Sequence, residues 1–170
     1  MIFTLGACLQ EQKKTDLPGF GEGMPSRIFV TTEAGAKAAL DQAQMRYEGD
    51  VQLSDIGFCK VENQQECTIG TFYIPKLLDL LGKRYAILFF VNEKNIVLVD
   101  DSDFSYRLIR RIQRKKMNRE MTKEKFLYYY ITEFIHRDLE LLVQYEKRLM
   151  EMEERISDGH AGHFLSDFSP

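Results

Sequence analysis

The last third of the sequence carries an apolar pattern that only a long helix satisfies. After Thr122, a candidate N-cap residue, apolar side chains recur in steps of three, four or seven residues, which is the spacing of one helix face. The pattern predicts a single helix of roughly 35 residues, about 50 Å long. The apolar positions are Leu127, Ile131, Phe134, Leu141, Tyr145, Leu149, Met152 and Ile156.

A helix of this length is longer than the rest of the chain can cover. The chain has 170 residues, and a compact α/β body built from what precedes the helix cannot bury the whole apolar seam. We therefore expect further helices to pack on it. Ser166 to Pro170 has the pattern of a new helix start, so we expect the natural protein to continue. The expected division is an α/β domain at 1–121, the long helix at 122–157, and a break with a truncated following helix at 158–170.

The first 121 residues predict a mixed sheet covered by helices. Two runs rich in β-branched and aromatic residues, 85–91 and 96–99, flank a four-residue turn and indicate a hairpin. Their almost continuous hydrophobicity indicates burial on both faces. The predicted fold class is therefore α/β, with a mixed central sheet, flanking helices in an α/β/α arrangement and a long C-terminal helix. Further strands are expected at 1–6, 27–31, 57–61 and 67–74, helices at 33–45 and 104–116, and one or two helical turns at 77–81.

The charge of the chain is concentrated in one basic segment. The net charge is −3, yet residues 104–125 carry nine basic and two acidic groups. A nucleic-acid-binding domain would be basic overall and would interleave exposed aromatic residues with its basic ones. Ion pairs or anionic lipid headgroups fit this segment better, so we expect no nucleic acid partner. The candidate patch for ion pairs or an anionic partner consists of Arg110, Arg111, Arg114, Lys115 and Lys116.

Three aspartates, Asp100, Asp101 and Asp103, directly follow the second strand of the hairpin. Carboxylates are the ligands that Mg²⁺ prefers in proteins, so the three residues form a candidate metal site. The same residues can end the strand and cap the following helix, with Ser102 or Asp103 as the N-cap. Both interpretations remain open. The phosphate-binding, dinucleotide-binding and Ser-His-Asp patterns are absent from the sequence, and no enzymatic activity is expected.

The long helix also carries a family likeness. Its sequence, Phe126-Leu-Tyr-Tyr-Tyr-Ile-Thr-Glu-Phe-Ile-His-Arg-Asp-Leu-Glu-Leu-Leu-Val-Gln-Tyr-Glu-Lys-Arg-Leu-Met-Glu-Met-Glu-Glu-Arg-Ile156, resembles the willow-helix segment of CorA-type magnesium transporters. A strand hairpin with a short Glu93-Lys94-Asn95 turn and an arginine- and lysine-rich helix precede it in the order expected for that family. The likeness covers roughly residues 60–156, a little over half of the chain.

The resemblance implies a function in divalent cation transport. Members of the family are homopentamers whose N-terminal cytoplasmic α/β/α domain leads through long helices into a membrane pore. The family's Gly-Met-Asn pore signature is absent here, Gly23-Met24-Pro25 being no substitute, and neither transmembrane helix is present. The chain is thus expected to be a regulatory domain at the cytoplasmic face of the cell membrane, joined to the membrane by C-terminal helices that it lacks.

The resemblance also implies a regulatory cation. Mg²⁺, or a related ion such as Co²⁺, is held by carboxylates between neighbouring protomers in the family and is not expected to bind tightly to the isolated domain. No acid pair of this chain matches the family's site residue by residue. The alternative function is a stand-alone α/β binding module that uses its basic helix on an anionic partner.

Overall fold

Seven strands form one mixed sheet among the residues that the structure describes. The computed structural model describes residues 1–4, 10–12, 26–74, 84–116 and 121–157. The strands are β1 (Ile2–Thr4), β2 (Gln10–Gln12), β3 (Arg27–Thr31), β4 (Lys60–Asn63), β5 (Thr68–Ile74), β6 (Tyr85–Val91) and β7 (Asn95–Val99), and the helices are α1 (Ala36–Gln42), α2 (Phe104–Lys116) and α3 (Lys123–Ser157). The strand order is β2-β1-β3-β7-β6-β5-β4. β3 and β7 are parallel, and the other neighbouring strands are antiparallel.

The two faces of the sheet bury different side chains of the same strands. Successive residues of a strand point to opposite faces, and in β3 and β7 both sets are buried. Phe29, Val97 and Val99 belong to an apolar cluster that includes Ala39 and Leu40 of α1. The opposite face carries the alternate residues, and there the Phe3 ring lies 6.3 Å from the ring of Tyr106 in α2. These layers confirm the predicted α/β/α fold class with its mixed sheet and long C-terminal helix.

Gly70 in β5 permits an unusually close approach between side chain and backbone. A Cβ atom at this position would lie 2.1 Å from Cζ of Phe89 and 2.8 Å from the Lys60 carbonyl oxygen. The Phe89 ring therefore covers the glycine directly, and it stacks on Phe72 with 4.8 Å between the ring centroids. A larger residue would have to displace a buried ring or the backbone of β4.

The helix expected at 33–45 is shorter than predicted. Residues Glu33–Gly35 form a single 3₁₀ turn, and the α-helix runs only from Ala36 to Gln42. Gln44 adopts a left-handed conformation with φ of 58° and stops the helix. Its N–H donates to the Asp41 carbonyl, and the Met45 N–H donates to the Leu40 carbonyl, which is the Schellman arrangement.

β4 begins later than predicted because one side chain replaces backbone pairing. The Thr71 hydroxyl donates to the Phe58 carbonyl at 2.7 Å and accepts the Lys60 N–H at 3.1 Å. The ladder with β5 therefore starts at Lys60 rather than Gly57. β2 was not expected from the sequence, since its three residues are polar and give no alternating pattern.

The described residues fall into two compact units. The first comprises residues 1–74 and 84–130, with the sheet, α1, α2 and the first turns of α3. The second contains the rest of α3, residues 131–157. The helix has the predicted length of 35 residues, and the Thr122 hydroxyl accepts the Lys125 N–H at 3.3 Å, as expected of its N-cap. The predicted elements at 77–81 and 158–170 lie outside the described residues.

Candidate functional site

Asp100 lies at the carboxyl end of β7 with a nearly buried side chain, 4% exposed. One carboxylate oxygen accepts the N–H of Ser102 at 2.7 Å and its hydroxyl at 2.5 Å. The other accepts the Ser105 N–H at 2.5 Å, one of the N–H groups that the first turn of a helix leaves without a partner. Asp103 occupies the N-cap position, directly before Phe104. The side chain that caps α2 is nevertheless that of Asp100, and not that of Ser102 or Asp103 as expected.

Asp101 performs a similar role for the neighbouring parallel strand. Its carboxylate accepts the N–H of Glu33 at 2.8 Å, at the start of the 3₁₀ turn that follows β3. Glu33 in turn accepts the Leu53 N–H at 2.7 Å. Since parallel strands end at the same edge of a sheet, the aspartates after β7 reach the segment that follows β3. The carboxylates of Asp100 and Asp101 thus accept backbone N–H groups where α2 and the 3₁₀ turn begin.

Asp103 is exposed and holds a left-handed backbone conformation with φ of 56°. This conformation turns the chain into α2, and the Asp103 carbonyl accepts the Arg107 N–H at 3.1 Å. Within the described parts of the chain, no three His, Cys, Asp or Glu side chains are grouped as around a metal ion. The assignment of Asp100, Asp101 and Asp103 as magnesium ligands stays a prediction.

A buried hydroxyl pair links the start of α2 to the start of α3. The Ser105 and Tyr130 hydroxyls lie 2.7 Å apart, and both residues are fully buried. Burial raises the pKa of the Tyr130 hydroxyl far above its usual value, and the negative charge of Asp100 adds to this, although the hydrogen bond with Ser105 opposes it. Tyr130 therefore stays neutral throughout the physiological range. No local sequence pattern indicates this pair, because its members are 25 residues apart.

The basic residues of α2 lie on its solvent side. Arg107, Arg110, Arg111, Arg114 and Lys115 are exposed, whereas Phe104, Ser105, Leu108, Ile109 and Ile112 are buried. The Arg110 guanidinium donates to the Gln113 side chain at 3.4 Å. The structure thus brings four of the five predicted patch residues onto the exposed side of one helix. The Lys116 side chain lies outside the described part of the structure.

Sequence reasoning also missed the contacts of the β6–β7 turn. The ammonium group of Lys123, the first residue of α3, donates to the carbonyls of Asn92 and Glu93 at 2.8 and 2.9 Å. The side-chain amides of Asn92 and Asn95 both donate to the Ala43 carbonyl at the end of α1. The Lys94-containing turn that carries part of the family likeness therefore joins the ends of two helices.

Comparison with known proteins rests on structure alone. Neither a protein-family model nor the sequence of a curated protein matches this chain. The soluble domain of CorA from Methanocaldococcus jannaschii superposes with a TM-score of 0.61 at 14% identity, over 93% of this chain and 65% of that one. The fold is that of the CorA soluble domain. The complete CorA magnesium transporter from the same organism matches with a TM-score of 0.66 at 12% identity, over 92% of this chain.

The full-length CmaX protein has the same fold, with a TM-score of 0.60 at 10% identity over 90% of this chain. This chain spans 51% of the CorA transporter's length and 50% of the length of CmaX. The matched region is therefore about half of each protein. No helix in the described ranges is both long enough and apolar enough to span a bilayer.

Proposed function

We propose that this chain is the cytoplasmic regulatory domain of a CorA-like transporter for Mg²⁺ or a related divalent cation such as Co²⁺. The observation that carries the proposal is the match of nearly the whole chain, 93%, to the soluble domain of a CorA protein. The willow-like sequence of α3 and the order of hairpin, basic helix and long helix support it independently. The two CorA structures are described as a magnesium transporter and its soluble domain, which supports a role other than catalysis.

The exposed apolar side chains of α3 support assembly in the complete protein. Among the described side chains of residues 131–157, which leave out 135–138, seven large apolar ones are exposed, and apolar surface of this extent favours an interface. They are Ile131, Leu139, Leu142, Val143, Leu149, Met150 and Ile156. We propose that they pack against further helices and neighbouring subunits in a homopentamer, attached to the membrane by segments beyond these 170 residues.

The gene and the mass of the complete protein test this proposal. We expect two apolar segments of about 20 residues downstream, with Gly-Met-Asn after the first, and a pentameric mass for the detergent-solubilised protein by sedimentation. A gene that ends without apolar segments, or a complete protein that is a dimer, would contradict the proposal.

A second candidate function is suggested by the exposed basic side of α2. Binding of an anionic partner would need several cations on one side of an element, and α2 presents four arginines and a lysine. Phosphate contacts release counterions, so their contribution falls steeply with salt. If α2 serves ion pairs or lipid headgroups, DNA and RNA should bind weakly, without sequence preference, and dissociate at modest salt.

Matched variants separate specific from general charge effects. Replacing Arg111 and Arg114 by Gln removes two charges from α2, and replacing Lys37 and Lys94 by Gln removes two from elsewhere on the surface. Anionic vesicles should lose affinity mainly with the α2 variant. Tight, sequence-selective nucleic acid binding at physiological salt would favour the stand-alone binding module over the transporter domain.

A further inference from the structure

Among the residues that the structure describes, no strand pairs with the outer edge of β4. β4 is the last strand of the sheet and pairs with β5 on its inner side. All four of its side chains are exposed, and Val61 is 67% exposed. An edge strand of this kind presents backbone donors and acceptors that can pair with another strand.

The hydrogen bonds to β5 establish which backbone groups face outward. Gln64 donates its N–H to the Cys67 carbonyl at 2.9 Å, and the Lys60 N–H points the same way, to the Thr71 hydroxyl. In an antiparallel ladder, alternate residues direct both N–H and C=O to the same neighbour. Glu62 therefore also faces β5, while Val61 and Asn63 direct their backbone groups away from it.

The side chains of β4 differ between the two faces of the sheet. Lys60 and Glu62 share one face, where the ammonium group lies 3.0 Å from the carboxylate. Val61 lies on the other face, opposite Gly70 of β5, at the outer end of the row that includes the Phe89 ring. One face of the edge thus carries charges of both signs, and the other carries Val61 beside the uncharged Asn63.

We propose that β4 pairs antiparallel with β4 of a second copy of this chain, about a twofold axis at Val61. The outward backbone groups restrict symmetric pairing near the strand centre to three registers, in which residue 60, 61 or 62 faces its own copy. The first places Lys60 against Lys60 and the third places Glu62 against Glu62, and like charges directly opposite are destabilising. The register at Val61 places Lys60 against Glu62 twice, so charge complementarity selects it.

This pairing gives complementary side-chain contacts on both faces of the sheet. The two Val61 residues exchange two N–H to C=O hydrogen bonds, and their side chains form an apolar cross-strand pair. On the other face, two lysine and glutamate pairs lie across the interface. The two sheets become one continuous sheet. The contact is small compared with standard protein interfaces, so the dimer is weak, and it does not depend on the proposed transporter function.

Charge reversal tests the register. We expect sedimentation equilibrium of the 170-residue chain to show reversible dimerisation, weakened about tenfold by either Lys60→Glu or Glu62→Lys, because each creates two like-charge pairs. The double variant K60E/E62K should restore the dimer. Circular dichroism and urea unfolding check that each variant is folded. Equal association of all four proteins would overturn the proposal.

A backbone variant tests strand pairing itself. The Val61 N–H points away from β5, so Val61→Pro removes the outward donor and leaves the ladder with β5 intact. Val61→Thr is the matched control, since it keeps both the N–H and a β-branched side chain. We expect Val61→Pro to be monomeric and Val61→Thr to dimerise. Two results would overturn the proposal: a wild-type chain that is monomeric up to about 1 mM, or equal association of the two variants. Either would mean that β4 does not pair with a second copy.

Discussion

The Asp100 side chain is enclosed by hydrogen-bond donors. Its carboxylate is almost fully buried and receives three hydrogen bonds from Ser102 and Ser105. A carboxylate near a helix N-terminus is stabilised both by these N–H groups and by the helix dipole. The three aspartates that look equivalent in the sequence are therefore unequal in the folded chain.

Replacement of Asp100 by Ala should lower the free energy of unfolding by about 2 kcal/mol, since the start of α2 loses its cap and buried N–H groups lose their acceptor. Urea unfolding followed by circular dichroism measures the loss. Asp103→Asn is the matched control and should change stability by less than about 0.5 kcal/mol, because Asp103 is exposed and Asn tolerates the left-handed conformation. Equal losses in the two variants would contradict the assignment of Asp100 as the cap.

Tyr130 should make stability fall in alkaline solution. Its pKa is raised in the folded state, whereas in the unfolded chain it ionises near pH 10. Above that pH the unfolded state binds fewer protons than the folded one, so the free energy of unfolding decreases by up to about 1.4 kcal/mol per pH unit. Below pH 9 the residue contributes no pH dependence.

Unfolding of Tyr130→Phe between pH 9 and pH 11 tests this. The variant should be less stable at neutral pH by about 1 kcal/mol, because the Ser105 hydroxyl loses its partner, and its alkaline decrease should be shallower than that of the wild type. Tyr128→Phe serves as the control, since Tyr128 is 65% exposed. An identical alkaline decrease in wild type and Tyr130→Phe would contradict the proposed environment of the hydroxyl.

The end of α1 offers a test of backbone geometry. Gln44 holds φ of 58°, a conformation that glycine adopts without strain. Gln44→Gly should therefore raise the free energy of unfolding by about 0.5–1 kcal/mol. Gln42→Gly, two residues earlier at the last residue of α1, should lower it, by up to about 1 kcal/mol. The same sign of change for both variants in urea unfolding would contradict the Schellman end of α1.

The elements that the sequence predicted well have local signals. β6 and α2 have the predicted bounds. A β-branched and aromatic run followed by a polar turn marks β6, and an amphipathic basic pattern marks α2. α3 begins after Thr122 as predicted, since a capping residue precedes a periodic seam. The shorter α1 was missed because its end depends on a glutamine in the left-handed conformation, which residue type alone does not reveal.

The candidate site was predictable only in part. The aspartates after β7 and the basic side of α2 were located from the sequence, since both are continuous in it. Which aspartate is buried depends on how the turn at Asp103 folds back on Asp100. Two further contacts depend on packing between distant segments, so no local pattern predicts them. They are the Ser105–Tyr130 pair and the contacts of Lys123 with the β6–β7 turn.

For the whole molecule, the proposed function implies cation sensing in an assembly. A sensor of cytosolic Mg²⁺ must bind at about millimolar concentration, because a much tighter site would always be occupied. Carboxylates shared between protomers would give such a site only in the oligomer. The isolated chain and the complete protein should therefore respond differently to Mg²⁺.

Limited proteolysis of the complete protein, with and without millimolar Mg²⁺, tests the proposed cation sensing. We expect clear protection of the full-length oligomer and little or no protection of the 170-residue chain. Replacing Asp100, Asp101 and Asp103 by Asn tests the predicted ligands: lost protection with an intact fold supports them, and retained protection with a less stable fold assigns them to capping alone. A full-length protein cleaved at the same rate with and without Mg²⁺ would contradict the proposed cation sensing.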